Sequence, residues 1–329
     1  MRFGPLPLTL AEGAVLAHSV RLAGGRLRKG VTLTADHLTQ LAAAGETEVI
    51  AARLDPGDVH ENAAAARLAA ALVPDPEDAG LRLTKAFTGR VNLLAAGPGV
   101  AMLDIDRLHR LNRINPMITL ATVPDCQQMT EGGMVGTVKI ISYAVPGTDL
   151  DAACETARGA LGLARPVLRR ATLIVTEIPG GAGEKGVPAI RSRLEALNLT
   201  LDRVIPVPHR CQAIAEALGE ADSELVLILT GSATSDPHDV APEALRRAGG
   251  KVERFGMPVD PGNLLFLGDL AGRPVIGLPG CARSPALNGA DWVLSRVACG
   301  LAVNHDDIAA MGVGGLLKEI PTRPQPRRG

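Results

Sequence analysis

Apolar and polar residues follow a regular pattern from about residue 171 onward. Continuous apolar runs at 171–176 and 225–229 predict buried strands, and apolar residues at helical spacing predict helices at 189–197, 212–218 and 242–248. The remaining elements predicted are strands at 203–207, 251–255 and 274–278 and a helix at 284–300. This alternation predicts an α/β fold, with a mostly parallel sheet and helices on both faces. The ligand site of such a sheet lies beyond the carboxyl ends of its strands.

The pattern before residue 171 is less regular and predicts smaller lobes. Residues 1–88 combine turn signals with an Ala-rich helix at 62–72, which indicates an α+β lobe. Residues 89–150 carry β-rich runs at 91–95 and 135–144 around a short helix at 106–111, which indicates a β-rich lobe. The predicted organisation is 1–88, 89–150, a connecting helix in 151–170 with its helical pattern at 152–163, the α/β domain at 171–303, and a tail or linker at 304–329, proline-rich at 320–326.

Composition places the chain among folded proteins and argues against nucleic acid as a partner. Hydrophobic residues make up 46% and charged residues 21%, far from the composition of disordered chains. The formal charge of -1 leaves no excess of cations to neutralise a phosphate backbone. One Trp, one Tyr and four Phe offer few stacking platforms for bases.

The cysteines and the hydropathy pattern predict a cytoplasmic protein that does not enter a membrane. No run of about 18 apolar residues occurs, and the first residues lack the apolar core of a signal peptide. The five cysteines never form a CxxC pair, so they indicate neither a disulfide framework nor a zinc site. They are Cys126, Cys154, Cys211, Cys281 and Cys299.

The loop at 230–239 is the first candidate ligand loop, because it follows the strongest apolar strand. Small and hydroxyl-bearing residues dominate it, and a helix begins directly after it. Backbone amides, hydroxyls and a helix N-terminus together suit an oxyanion such as a phosphate. The alternative is a tight turn at Thr230 and Gly231, with Asp239 as a helix cap. The candidate ligand contacts here are Thr230, Gly231, Ser232, Thr234 and Ser235.

Two further loops, 257–263 and 277–284, pair proline with glycine. Such turns hold backbone groups in a fixed arrangement, although each loop by itself indicates only a turn. The candidate ligand contacts are Pro261 and Gly262 in the second loop and Gly277, Pro279, Gly280, Cys281 and Ser284 in the third.

A dinucleotide site is the main competing interpretation. Residues 181–186 match GxGxxG, follow a predicted strand and precede Asp202 at a suitable distance. However, Pro179 and Pro188 separate the glycines from the strand and from the helix, whereas the fingerprint needs a tight turn between the two. A nucleotide-dependent enzyme therefore remains the less favoured alternative.

Read together, the segments 229–232, 236–242, 261–262 and 277–281 resemble the MoaB/Mog-fold molybdopterin-binding family. The resemblance covers about 171–301. More loosely, the whole chain resembles the MoeA-like branch, at 11–20, 59–70 and 89–94. It implies that the three loops surround the phosphate and dithiolene of a pterin. Relatives sometimes continue into a nucleotidyltransferase domain, and the proline-rich end of this chain fits such a junction.

The resemblance implies a molybdopterin-binding protein of molybdenum cofactor maturation, which binds molybdopterin or its adenylylated form. If it also inserts molybdenum, Asp236 and Asp239 are the catalytic candidates, with Asp239 orienting Mg²⁺ or molybdate. The chain departs from the family pattern at Ser232, Asn263 and Cys281, so binding carries over better than insertion. The alternative is a non-catalytic carrier or scaffold that serves a nucleotidyltransferase or a molybdoenzyme. The sequence leaves a homo-oligomer open.

Overall fold

The computed structural model describes residues 1–317, which fall into two compact units. The N-terminal unit comprises 1–97, 101–125 and 131–163, and the second comprises 98–100, 126–130 and the chain from Ala164 onward. The predicted boundary at residue 88 therefore lies inside one unit. The reason is strand pairing, because Leu81–Leu83 pairs with Arg90–Ala95 across that position.

The N-terminal unit is built from short strands and four helices, and its final strand ends at the boundary with the second unit. The elements in this part of the chain are β1 (Arg2–Pro7), β2 (Val15–Leu16), β3 (Val20–Leu22), β4 (Gly25–Leu27), α1 (Ala35–Ala43), β5 (Glu48–Arg53), β6 (Asp58–His60), α2 (Glu61–Leu72), β7 (Leu81–Leu83), β8 (Arg90–Ala95), β9 (Gly99–Leu103), α3 (Ile105–Ile114), β10 (Ile118–Thr122), β11 (Gln128–Met129), β12 (Met134–Ile140), β13 (Ala144–Pro146), α4 (Gly147–Thr156) and β14 (Leu161–Ala164). Among them, β11 and the first residues of β9 belong to the second unit.

Antiparallel pairing holds the sheets of the N-terminal unit together. One sheet has the order β1-β5-β2 and another the order β10-β12-β8-β7. Helix α2 packs Ala64, Leu68 and Leu72, which are fully buried, and its many alanines allow close approach to its neighbours. The α+β and β-rich character predicted for this half of the chain is therefore observed.

The connecting helix differs from its prediction in position and in length. Helix α4 ends at Thr156, and strand β14 starts at Leu161, where the sequence pattern had predicted one helix at 152–163. Gly159 adopts a φ of 68°, a left-handed conformation that ends a helix and favours glycine.

The second unit continues with regular alternation of strands and helices. Its elements are β15 (Arg170–Glu177), α5 (Val187–Glu195), β16 (Thr200–Pro208), α6 (Cys211–Glu220), β17 (Leu225–Leu229), α7 (Val240–Arg247), β18 (Lys251–Phe255), β19 (Phe266–Leu270), β20 (Arg273–Leu278), α8 (Gly289–Ala298) and α9 (His305–Ala310).

These strands form one six-stranded sheet in the order β16-β15-β17-β20-β19-β18. The pairs β15 with β16, β15 with β17 and β17 with β20 are parallel. One face is covered by α5, α8 and α9, and the other by α6 and α7, each with its own buried apolar cluster. The predicted α/β class, with a mostly parallel sheet and helices on both faces, is confirmed.

Strand β19 was not predicted, and it is the one antiparallel member of this sheet. It pairs with β18 on one side and with β20 on the other. Gly268 and Asp269 interrupt its apolar run, so the sequence does not look like a buried strand there. At Gly268 a side chain is impossible, because an added Cβ would lie 2.4 Å from the Lys251 carbonyl oxygen.

The end of the described chain also differs from the predicted tail at 304. Residues Ile308 and Met311 are buried in the core that α5 and α8 share, and Asn304 caps helix α9. The proline-rich segment 320–326 lies outside the described residues. Within residues 1–317, no helix has both the length and the hydropathy needed to cross a membrane.

Gly277 provides a test of the packing of this sheet. A Cβ at this position would lie 1.9 Å from Cε1 of Phe266, so Gly277→Ala must displace that buried ring. We expect a loss of about 1 to 3 kcal/mol in the free energy of unfolding, measured by urea titration. The control is Gly219→Ala, where nothing lies within 4 Å of the added Cβ. Equal stability of the two variants would contradict the packing described.

Candidate functional site

The ends of β15 and β17 mark the point where the chain changes direction across the sheet. From β15 the chain crosses to β16 on one side, and from β17 it continues to strands on the other. Such switch points form the ligand crevice of open α/β sheets. Here the Gly231 amide donates to Thr176 Oγ1 at 2.7 Å, and Thr176 Oγ1 lies 2.8 Å from His209 Nδ1. The first candidate loop is therefore tied directly to this point.

The hydroxyls of the first loop divide into two groups. Thr230 and Thr234 are buried, and their Oγ1 atoms lie 3.4 Å apart, so they support the loop from inside. Ser232 and Ser235 are exposed. The Ser232 hydroxyl is thus available to a ligand, whereas the Ser235 hydroxyl donates to the Ala233 carbonyl oxygen at 3.5 Å. The packing also requires a glycine at position 231, because an added Cβ would lie 2.7 Å from the Thr176 carbonyl oxygen.

Asp239 occupies the N-cap of α7 and also ties the first loop to that helix. Its Oδ1 accepts from the Val240 amide at 2.7 Å, and its Oδ2 accepts from the Ser235 amide at 2.9 Å. Asp236 is exposed, and its Oδ1 accepts from the His238 amide at 2.7 Å. Both oxygens of Asp239 are thus engaged by the backbone, which is the helix-cap role.

The third loop meets the first through Arg283. A single 3-10 turn, Gly280–Arg283, follows Pro279, and the Arg283 Nη2 atom donates to the Thr230 carbonyl oxygen at 2.6 Å. Gly280 and Ser284 are exposed, whereas Pro279 is buried.

Two other predicted ligand contacts in the third loop, Gly277 and Cys281, are held in the sheet or partly buried. Gly277 lies within β20 beneath Phe266, so its backbone belongs to the sheet. The Cys281 thiol is partly buried, and this burial raises its pKa, which disfavours the thiolate at neutral pH.

A second arginine, Arg193 on α5, holds the third loop from below. Its Nε atom donates to Asp291 Oδ1 at 2.5 Å, and both side chains are about nine-tenths buried. Its remaining donors reach backbone carbonyl oxygens of the loop and of α5, which are those of Ala189, Ala282, Ser284 and Ala286. Because Asp291 also accepts from the Asn288 amide, this ion pair joins the loop to the start of α8.

The second loop is anchored at that same helix start. The Gly289 amide donates to the Pro261 carbonyl oxygen at 2.9 Å. Gly262 has a φ of 142°, and an added Cβ there would lie 2.7 Å from the Gly289 nitrogen. Asn263 is exposed and donates through Nδ2 to the Met257 carbonyl oxygen at 3.3 Å. The second loop thus joins the third loop through the start of α8.

A family model described as "Probable molybdopterin binding domain" matches residues 173–298. These residues include all three loops and the strands that carry them. This segment is therefore similar to that domain family. The resemblance to the MoaB/Mog-fold family seen in the sequence is thereby confirmed. A second model, "Domain of unknown function (DUF8806)", matches residues 5–53.

Comparison with solved structures finds similarity to proteins of related description. A molybdopterin biosynthesis MoeA protein from Pyrococcus horikosii is 12% identical, over 91% of this chain and 75% of that one, with a TM-score of 0.32. A molybdopterin biosynthesis protein from Mycobacterium abscessus is 19% identical, over 41% of this chain and 94% of that one, with a TM-score of 0.29. TM-scores of this size carry no argument about fold. No curated protein matches the chain.

The GxGxxG segment at 181–186 lies beside the same loops. A 3-10 turn, Gly183–Gly186, precedes α5, and an added Cβ on Gly186 would lie 2.8 Å from Arg283 Cγ. Gly186 therefore allows Arg283 to pass beneath this turn. The segment is a longer connection from β15 to α5, as the prolines predicted, rather than a tight strand-to-helix turn.

Several residues of this site were not predicted from the sequence. Thr176 and Arg283 contact the first loop, His209 contacts Thr176, and Arg193 and Asp291 hold the third loop. Thr176 and Arg283 had a signal in the sequence, because Thr176 ends the predicted strand at 171–176 and Arg283 lies within the third loop at 277–284. Arg193 gave none, since its partner lies 98 residues away in the chain.

No metal-ligand cluster forms in the part of the chain that the structure describes. Groups of three or more His, Cys, Asp or Glu side chains placed to hold a metal ion are absent from residues 1–317. Asp236 and Asp239 would have to hold Mg²⁺ together with ligand oxygens.

The N-terminal unit carries a pocket of about 570 Å³, but its charge does not suit a phosphate. Asp75, Asp78 and Asp104 line this pocket, and its lining includes no lysine or arginine. Like charges repel, so a pterin phosphate is disfavoured there. Relative to this pocket, the loops at 230–239, 257–263 and 277–284 are the better candidate for binding a phosphate.

The Arg193–Asp291 pair provides a second test. Arg193→Met leaves a buried carboxylate and several loop carbonyl oxygens without their donor, and the expected loss is about 3 to 5 kcal/mol in the free energy of unfolding. The matched control is Arg191→Met on the exposed side of the same helix, which should lose less than about 0.5 kcal/mol. Chemical denaturation of both variants measures the difference. A loss below 1 kcal/mol in Arg193→Met would show that the pair does not support the loop.

Proposed function

We propose that this protein binds molybdopterin, or its adenylylated form, at the three loops of its second unit, and acts in maturation of the molybdenum cofactor. The observation that carries the proposal is the hydrogen bond from Arg283 Nη2 to the Thr230 carbonyl oxygen, which joins the first and third loops at the switch point of a molybdopterin-binding-family domain.

The chemistry of the loops supports this ligand. Ser232, Ser235 and Ser284 are exposed and supply hydroxyl donors, and glycines at Gly231 and Gly280 remove bulk from the backbone. Hydroxyl and amide donors with a nearby cation suit a phosphate monoester. The cysteines are dispersed along the chain and form no CxxC pair, which supports placing the protein in a reducing compartment such as the cytoplasm.

The binding proposal is tested by placing a negative charge in the first loop. Ser232→Glu should weaken binding of molybdopterin at least about 10-fold, because the new carboxylate repels the ligand phosphate. The control is Thr200→Glu, which adds the same charge at the exposed start of β16, at the opposite edge of the sheet. Binding is measured by native mass spectrometry and by fluorescence titration. Failure of the wild-type protein to bind either pterin form would overturn the proposal.

Between carriage and molybdenum insertion, the geometry of Asp239 favours carriage. Its two oxygens accept backbone amides, so it stabilises the loop and the helix start, and neither oxygen is free of a donor. The protein would then deliver the pterin to a nucleotidyltransferase or a molybdoenzyme. Insertion, with Asp236 and Asp239 orienting Mg²⁺ or molybdate, is the second candidate, and the exposed Asp236 carboxylate favours it.

Release of AMP separates the two candidates. If the protein is a carrier, adding molybdate and Mg²⁺ to its complex with adenylylated molybdopterin should release no AMP above the protein-free blank. Asp239→Ala should then lower the free energy of unfolding by about 0.5 to 2 kcal/mol, since a helix cap is lost. Rapid AMP release by the wild-type protein, abolished in Asp236→Asn while pterin binding persists, would establish insertion instead. Chromatography of released nucleotide gives the measurement.

A further inference from the structure

Arg283 lies where three segments of the candidate site meet. Its Nη2 atom bonds to Thr230 in the first loop, its Cγ packs under Gly186, and its backbone belongs to the third loop. An added Cβ on Gly280 would be 3.9 Å from Nη1 of the same guanidinium. The side chain is therefore fixed in place by its neighbours before any ligand arrives.

The charge of this guanidinium has no counter-charge in the described chain. Within residues 1–317, no carboxylate forms an ion pair with Arg283, and its only hydrogen bond is the one to the Thr230 carbonyl oxygen. The Nε atom is buried without an acceptor. Burial alone lowers the pKa of Arg283, with no neighbouring acid to raise it again. Among residues 1–317, four of the five N–H groups of the guanidinium therefore have no acceptor.

Arg193 shows what a structural arginine looks like at the same loop. It has a buried carboxylate partner, Asp291, and it donates to four carbonyl oxygens. Arg273 and Arg296 also have a buried Nε atom without an acceptor, so this feature alone does not identify a site. Arg283 differs from those two because it contacts the ligand loops at the carboxyl edge of the sheet.

Burying a cation without a counter-charge costs free energy, and an anionic ligand that binds the cation offsets that cost. A guanidinium presents several N–H donors in a planar fork that matches a phosphate or carboxylate. We propose that Arg283 is the cationic anchor that binds the phosphate monoester of the pterin ligand and so fixes its orientation in the crevice. This inference rests on the proposed function and names one residue and one ligand group within it.

The test compares two fluorescent oxidised derivatives of molybdopterin, one with its terminal phosphate and one dephosphorylated, by titration against the wild-type protein and variants. The wild-type protein should bind the phosphorylated form more tightly. Arg283→Met should weaken binding of that form about 10- to 100-fold and leave the dephosphorylated form unchanged. Arg283→Lys, which keeps the charge but not the fork, should fall between the two. Arg191→Met is the control for loss of an exposed arginine on the same unit.

The outcomes separate this inference from the function on which it rests. If the wild-type protein binds neither derivative, the proposed function fails and the inference with it. If it binds both and Arg283→Met binds both equally well, Arg283 is not the anchor and the proposed function stands. A thermal melt of each variant shows whether it is folded. Equal weakening of both derivatives in folded Arg283→Met and Arg283→Lys would mean that Arg283 only shapes the loops, and it would overturn the inference.

Discussion

The candidate site depends on the parallel pairing of β15 with β17. These strands are buried, and their register places Ala171 opposite Leu225 and Val175 opposite Leu229. Thr176 and Thr230 follow in the same register, and the Gly231 amide reaches the Thr176 hydroxyl. A slip of one residue would turn each side chain to the opposite face and would separate the Gly231 amide from the Thr176 hydroxyl. The register of this strand pair thus fixes where the polar loops meet.

The fold of the second unit could be predicted because its strands are short apolar runs between amphipathic helices. Strand β17 was predicted at its observed bounds. Strand β19 was missed for a physical reason: Leu245 and the Lys251 carbonyl oxygen occupy the space that a side chain at Gly268 would need, so packing requires a glycine in the middle of a strand. The division of the N-terminal half was harder to predict, since its short antiparallel strands pair across the boundaries that turn residues suggested.

The site was predictable as a set of loops but not as a set of side-chain roles. Residue type indicated hydroxyl, glycine and proline turns, and the structure brings the first and third loops into direct contact. Residue type could not show that the Thr230 and Thr234 hydroxyls face each other, or that backbone amides donate to both carboxylate oxygens of Asp239. Nor could it pair Arg193 with Asp291 across 98 residues, because spacing along a chain carries no information about such contacts.

The charges at these loops favour holding an anion over performing chemistry on it. Asp239 is engaged by backbone amides and Asp291 by Arg193, so these two carboxylates serve the fold. The Arg283 guanidinium has no carboxylate partner in residues 1–317, and its partial burial lowers the stability of the ligand-free protein. A ligand that binds only the folded state stabilises that state by mass action. The loops should therefore be least stable when empty, and a phosphate group that reaches Arg283 would tighten the contact between the first and third loops.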